Sequence, residues 1–310
     1  MTFYRWNTTV LSMVAGAAAV VAGINYRVNF YGLYGDVKGS KYIVYDNDRT
    51  TKYLFAYNYI PSNFDGLLIG SSTTLNWNTA ELTSIRIYNA SLDGGNISEE
   101  ALIADQILRR HPPKLVLVLI HPYLTDTYGR KSGHMIPQEY WGGLGSIQLL
   151  RGYWSRWKIE HGYKRKEFNE FGTDNFFTHL PGGFAAATQH QPPYFVDARA
   201  FQEYRELIER VRASGARIVG VIPPMEMGAW KMAQEALDEY SSKARPLFRP
   251  DEPIIDLNVP EMDEFRKNKY NYQDTLHLAP DGASKVMKII DNKLKAMGVA
   301  GSGENVARSK

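Results

Sequence analysis

The chain has no cysteine among its 310 residues. That excludes a disulfide scaffold, cysteine zinc sites, iron–sulfur clusters and thiol catalysis. It does not fix the redox compartment, because a secreted protein need not carry disulfides. Net charge is also scarce: 36 basic residues against 33 acidic ones leave +3. The two signs alternate along the chain without a basic block, so no nucleic-acid partner is expected. None of the seven histidines falls in a His-x-His or HExxH spacing, so no metal site is expected. No Walker motif and no strand-associated GxGxxG is present, and no cofactor is expected. There is no internal repeat and no low-complexity tract. What remains is the composition of an ordinary globular protein, 44% hydrophobic and long enough for a sizeable core.

Only one apolar run is long enough to cross a bilayer, which takes roughly 20 residues. It extends from Trp6 to Tyr26 without a charge and is centred on VLSMVAGAAAVVAGI. A cleaved signal peptide is one reading, with Arg5 as the basic start and Ala17 to Ala19 as small residues for cleavage. A retained signal-anchor helix is the preferred one. In it, Ala15, Ala19 and Gly23 form a stripe that lets another transmembrane helix approach closely. A buried soluble helix is the third. Arg5 lies on one side of the run and Arg27, Lys38 and Lys41 on the other, so charge fixes orientation poorly. The bulk of the chain is expected outside the cytoplasm, on the periplasmic side of the cell membrane.

Residues 27–63 read as a linker and lead-in, with KYIVY (Lys41 to Tyr45) a short strand. Beyond them short apolar runs alternate with amphipathic stretches. Gly66–Gly70, Ile85–Asn89, Lys114–Ile120, Arg217–Ile222 and Pro253–Leu257 read as strands. KLVLVLI has no alternation, which suits a strand buried on both faces. Helices are expected at Ile97–Arg110 after an Asn96 cap, at Asp197–Ala213 before Gly215, at Gly228–Arg245, and after Pro280. Strands alternating with helices predict an α/β fold, a three-layer α/β/α sandwich around a five-stranded parallel sheet. The expected division is a membrane segment at 1–26, a lead-in at 27–63, a domain at 64–297 and a flexible tail at 298–310. An aromatic-rich insertion at 121–195 interrupts the domain; connections that long are usually functional or a subdomain.

Two short motifs carry chemistry. Gly70-Ser71-Ser72 follows the first strand, and ligand sites in parallel α/β sheets lie outside the carboxyl ends of the strands. Asp274-Thr275-Leu276-His277 precedes the last helix. An offset of three within one turn lets the aspartate hold one imidazole nitrogen while the other faces a nucleophile. Each motif alone is common in loops and helix caps. Together they bracket the sheet.

Those residues carry a resemblance. FDGLLIGSST (64–73), YNASLDGG (88–95), RIVGVIPPM (217–225) and YQDTLHLAPDG (272–282) resemble the SGNH (GDSL-type) hydrolase superfamily. The likeness is to the membrane-anchored branch near alginate O-acetyltransferases and the D-alanyl-transfer protein of teichoic acid synthesis. It covers residues 64–297 and implies a flavodoxin-like SGNH fold. It also implies Ser72 as nucleophile, His277 as general base and acid, Asp274 orienting the ring, and oxyanion donors at the N–H of Ser72 and Gly94. Ser71 stands where the family usually has aspartate. The third block departs from the pattern: Ile120-His121-Pro122-Tyr123 lacks the family's oxyanion asparagine. Either His121 or Tyr123 substitutes, a donor comes from elsewhere, or the site is weak.

Trp154, Trp157 and Tyr123 are candidates for stacking on sugar rings; the competing reading of the insertion is a subdomain core or subunit interface. Arg130, Lys131, Arg151, Arg156, Lys164 and Arg165 would favour an acidic polymer or form a solvated basic face. The expectation is a membrane-anchored O-acyltransferase or esterase acting on cell-envelope polysaccharide or exopolysaccharide. Relatives imply an integral membrane partner, a membrane-bound O-acyltransferase. The alternative is an inactive accessory subunit that docks through the anchor and the insertion.

Overall fold

A computed structural model describes residues 3–34, 47–129, 133, 135–146, 148–164, 167–175 and 194–299. The chain opens with the helix α1 (Phe3–Val28), followed by α2 (Asp48–Phe55) and α3 (Tyr59–Asn63). Then come β1 (Gly66–Ile69), the short α4 (Ser72–Leu75), β2 (Ile87–Asn89), α5 (Ile97–Arg110) and β3 (Leu115–Leu119). The insertion holds α6 (Gln138–Gly145) and α7 (Gln148–Glu160). The remainder is α8 (Ala198–Ala213), β4 (Arg217–Ile222), α9 (Met227–Ala244), β5 (Ile254–Asp256), α10 (Asp263–Lys267) and α11 (Pro280–Ala296).

The five strands form one parallel sheet in the order β2-β1-β3-β4-β5. Successive strand residues point to opposite faces, and the core divides accordingly. Leu67, Ile69, Val116, Val118 and Ile218 pack toward α2, α3, α5 and α8. Leu68, Leu115, Leu117, Val219 and Val221 pack toward α11. With apolar cover on both faces, β3 buries all five of its residues. Each such aliphatic side chain contributes about 1.5–3 kcal/mol. This is the expected α/β/α sandwich.

The helix ends follow their caps. Asn96 accepts from the N–H groups of Ser98 and Glu99 and starts α5; Asp197 does the same for Arg199 and Ala200 at α8. Gly215, at a φ of +83°, turns the chain out of α8. The second strand is shorter than the sequence predicts. Its ladder starts where Gly66 pairs with Ile87, so Ile85 has no β1 residue opposite it.

Residues 48–63 differ from a linker. Tyr53, Leu54, Phe55 and Ile60 are buried in the main core, and the Tyr53 and Tyr57 hydroxyls bond each other at 3.2 Å. The tyrosines hid this from hydropathy, because their rings bury while their hydroxyls find partners. The KYIVY segment lies outside the described residues, as do Arg130, Lys131, Arg165 and residues 300–310. The α1 helix is long and apolar enough to cross a membrane, and its apolar stretch is unburied.

Candidate active site

The sheet order decides which loops meet. β1 lies between β2 and β3. The turn holding Ser72 is therefore flanked at the carboxyl edge by the loop with Gly94 after β2 and by His121 after β3. Ser72 opens α4 directly after β1 and is half-buried. Its N–H and that of Gly94 have no hydrogen-bond partner among the described residues. The first N–H groups of any helix lack intrahelical acceptors. Gly94 has a φ of +54°, which a side chain would strain, and open space where a Cβ would project.

Asp274 and His277 occupy a small loop. Tyr272 and Leu278 form an antiparallel bridge, and the Gln273 N–H donates to the His277 carbonyl at 2.8 Å. Inside it, Asp274 Oδ1 accepts from the N–H groups of Leu276 at 2.8 Å and His277 at 2.7 Å. Asp274 Oδ2 lies 2.7 Å from His277 Nδ1. Burial raises the Asp274 carboxyl, but the His277 ring and these N–H groups outweigh it and hold the group below its ordinary value. An ionised carboxylate accepts, so His277 Nδ1 carries the hydrogen. The neutral ring then keeps its lone pair on Nε2, as a base requires.

A hydrogen bond joins the serine turn to this loop. Asn76 caps the carboxyl end of α4, and its Nδ2 donates to the Leu278 carbonyl at 2.7 Å. A second set fixes α4 against β2. Asn89 Nδ2 donates to the carbonyls of Thr74 and Trp77 at 2.8 and 3.1 Å, while Oδ1 accepts from the Ser91 N–H. Thr74 and Ser91 share a 2.8 Å hydroxyl bond. A Cβ on Gly70 would lie 2.0 Å from Thr74 Oγ1, so crowding rather than φ reserves that position for glycine.

Below the β2 loop lies a fully buried lysine. Lys52 Nζ donates to the carbonyls of Asn89, Ser91 and Gly172 at 3.1, 2.5 and 2.9 Å. Burial pushes its amine down to about 8 against the pull of Asp48 and Glu100. Neither Lys52 nor Asn76 was singled out from the sequence. Each acts on backbone carbonyls brought close only by folding, which leaves no local motif.

His121 follows β3, at the position where the resemblance expects an asparagine. It is 2% exposed, and its Nδ1 accepts from the Tyr123 N–H at 3.3 Å. A backbone N–H can only donate, so the neutral ring carries its hydrogen on Nε2. That Nε2 is buried without a partner among the described residues. Burial, with the neighbouring His277 adding to it, pushes the ring down to about 3, so it is neutral near pH 7. Tyr123 and Tyr194 pack edge-on and tilted beside it. A cavity of about 210 Å³ extends from His121 under α9 to the Arg245–Asp256 ion pair. It borders the site through His121 and includes neither Ser72 nor His277 in its lining.

Trp154 and Trp157 lie on α7. Their rings stack on each other at 4.7 Å, with His161 and Tyr163 continuing the array. Among the described residues, no group of three or more His, Asp or Glu side chains could hold a metal ion.

No protein-family model matches this chain, and comparison with curated proteins finds no match. Solved structures do resemble it. One is described as a platelet activating factor from Streptococcus pneumonia, 14% identical, covering 79% of this chain and 91% of that one, with a TM-score of 0.45. A lipase/acylhydrolase from Enterococcus faecalis is 12% identical over 74% of this chain and 95% of its own, at 0.39. A family two carbohydrate esterase from Clostridium thermocellum is 11% identical over 74% of this chain and 63% of its own, at 0.35.

Proposed function

We propose that the protein is a membrane-anchored serine O-acyltransferase or esterase of the SGNH type. The observation that carries this reading is the Asp274–His277 pair, with Oδ2 2.7 Å from Nδ1, in a loop tied to the Ser72 helix through Asn76. Asp274 sets the tautomer that leaves His277 Nε2 basic. His277 takes the Ser72 proton as Oγ attacks an acyl carbonyl. The oxyanion receives hydrogen bonds from the N–H groups of Ser72 and Gly94 and from His121 Nε2–H. His277 then gives its proton to the leaving alkoxide, and an acyl-serine remains. A sugar hydroxyl or water, deprotonated by His277, attacks the ester and frees Ser72.

The missing asparagine would by itself imply a loss of ~100- to 1000-fold, the usual effect of removing one oxyanion donor. His121 offsets it. An unpartnered buried donor costs about 1–3 kcal/mol, and an oxyanion is an acceptor that would relieve that cost. The proposed substrates are O-acyl groups on cell-envelope polysaccharide or exopolysaccharide. The main domain is placed outside the cytoplasm, anchored by α1 beside an integral membrane O-acyltransferase partner.

A fluorophosphonate probe, which labels activated serines, tests the chemistry. Labelling of wild type that disappears in Ser72→Ala and falls sharply in His277→Ala supports it. Well-folded wild type that takes up no probe would favour the accessory-subunit reading instead.

A further inference from the structure

The α1 helix and the insertion meet at one level. Asn25, in the last turn of α1, donates from Nδ2 to the Leu144 carbonyl at 2.7 Å and accepts from the Tyr153 hydroxyl at 2.7 Å. A few residues on, Phe30 and Leu149 bury each other at 2% and 4% exposure. Phe30 also lies against Gly152, where a Cβ would sit 2.9 Å from the ring. The carboxyl end of α1 is thus built into α6 and α7.

That end is also where the apolar run stops. Exposed aromatics mark both of its limits: Tyr4 and Trp6 at one end, Tyr26 at the other. From Trp6 to Tyr26 the helix rises ~30 Å, the thickness of a bilayer's hydrocarbon core. Tyr26 then defines the lipid–water boundary, and α6 and α7 are held within one turn of it. Both helices, and Tyr163 in the turn after α7, expose large rings there. Trp141 is 69% exposed, Trp154 55%, Trp157 40% and Tyr163 73%. Lys158 sits over the Trp154 ring at 5.6 Å. Indole and phenol rings beside lysines form the belt that membrane proteins place at headgroup level.

We infer that α6 and α7 lie in the headgroup layer of the bilayer that α1 crosses, with Trp141, Trp154 and Trp157 as interfacial anchors. The partner is a phospholipid surface, and the role differs from sugar stacking. The inference rests on reading α1 as a membrane anchor. It adds that the catalytic domain is held at a fixed height rather than swinging on a tether. An anchored enzyme fixed in this way keeps one orientation toward a membrane-embedded acyl donor.

The cysteine-free sequence makes the test direct. Single cysteines replace Leu11, Trp141, Trp154 or Lys288 in the full chain, and each takes a nitroxide label. Lys288 is an exposed residue of α11, on the other side of the sheet. The variants are reconstituted in phosphatidylethanolamine–phosphatidylglycerol vesicles. Collision with oxygen and with a water-soluble nickel chelate then reports depth. The expected result is a deep label for Leu11→Cys, headgroup-level labels for Trp141→Cys and Trp154→Cys, and an aqueous label for Lys288→Cys. Labels at 141 and 154 as aqueous as at 288, with 11 deep, overturn the inference and leave the anchor standing. An aqueous label at 11 overturns the anchor and the inference with it. Labels at 141 and 154 shielded from both reagents point to a protein surface there and overturn it as well.

Discussion

Asn76 Nδ2 donates to the Leu278 carbonyl at 2.7 Å, a bond between residues 202 apart in sequence. It joins the turn that presents Ser72 to the loop that presents His277. Removing it leaves a buried carbonyl without its donor, which costs about 1–3 kcal/mol. The effect on catalysis is expected to be larger than on folding. A displacement of about 1 Å between reacting groups can lower a rate ~100-fold. In Asn76→Ala, urea unfolding should show a modest loss of stability, while kcat on p-nitrophenyl acetate falls tenfold or more. Unchanged turnover would mean that the two motifs hold their geometry without this bond.

His121 yields a paired prediction. His121→Asn keeps a side-chain N–H donor after β3, so esterase turnover should stay within about tenfold of wild type. His121→Phe removes the donor and should lose ~100- to 1000-fold in kcat. Stability provides an independent readout. The folded ring is pushed down to about 3, below its ordinary value near 6.5. As pH falls through 6.5 the unfolded chain takes up a proton that the folded chain refuses until about pH 3. Stability is therefore unaffected by this group above 6.5 and declines below it, by up to ~1.4 kcal/mol per pH unit. Chemical denaturation between pH 7 and 4 should show a shallower decline in His121→Phe than in wild type.

The strands and motifs were legible because they depend on local chemistry. GLLIG, LVLVLI and IVGVI are unbroken apolar runs, which a doubly covered parallel sheet demands. Asp274 and His277 are close in sequence, and their contact needs only one turn. The supports of the site were not legible. Asn76, Lys52 and Asn89 each bind main-chain carbonyls from other segments, and carbonyls carry no sequence identity. His121 was visible only as a departure from a pattern. Its orphaned Nε2 follows from the Tyr123 N–H holding Nδ1, a matter of geometry. The aromatic insertion showed its composition, but its contact with α1 runs through Asn25, an unremarkable polar residue at the end of an apolar run.

Lys52 is predicted to hold the Gly94 loop. Its ammonium gathers the carbonyls of Asn89, Ser91 and Gly172. Lys52→Met fills similar space but leaves all three carbonyls without this donor, and is expected to destabilise the fold by about 1–3 kcal/mol for each buried carbonyl left unpaired. The pH profile has a definite sign. Burial lowers the folded amine to about 8, against 10.5 in its ordinary state. Between these values the unfolded chain holds the proton more tightly, so this group makes stability rise with pH from about 8 to 10.5. Thermal or urea unfolding across that window should show the rise in wild type and its loss in Lys52→Met.

Asp274→Asn provides the sharpest test of the proton inventory. Asp274 Oδ1 accepts two backbone N–H groups, from Leu276 and His277, and an amide nitrogen cannot replace it there. The asparagine must therefore keep its oxygen at that position and turn its NH₂ toward His277 Nδ1. Two donors cannot face each other, so His277 shifts its hydrogen to Nε2 and Nδ1 becomes the acceptor. The lone pair that would take the Ser72 proton is then gone, although the ring and the loop stay in place. Substitutions of this kind in serine triads lower kcat by about 10,000-fold. Asp274→Asn should keep the wild-type melting temperature within a few degrees, lose esterase turnover by that order, and label slowly with fluorophosphonate. Turnover close to wild type in a folded Asp274→Asn would show that His277 is not the base, and the proposed chemistry would have to be abandoned.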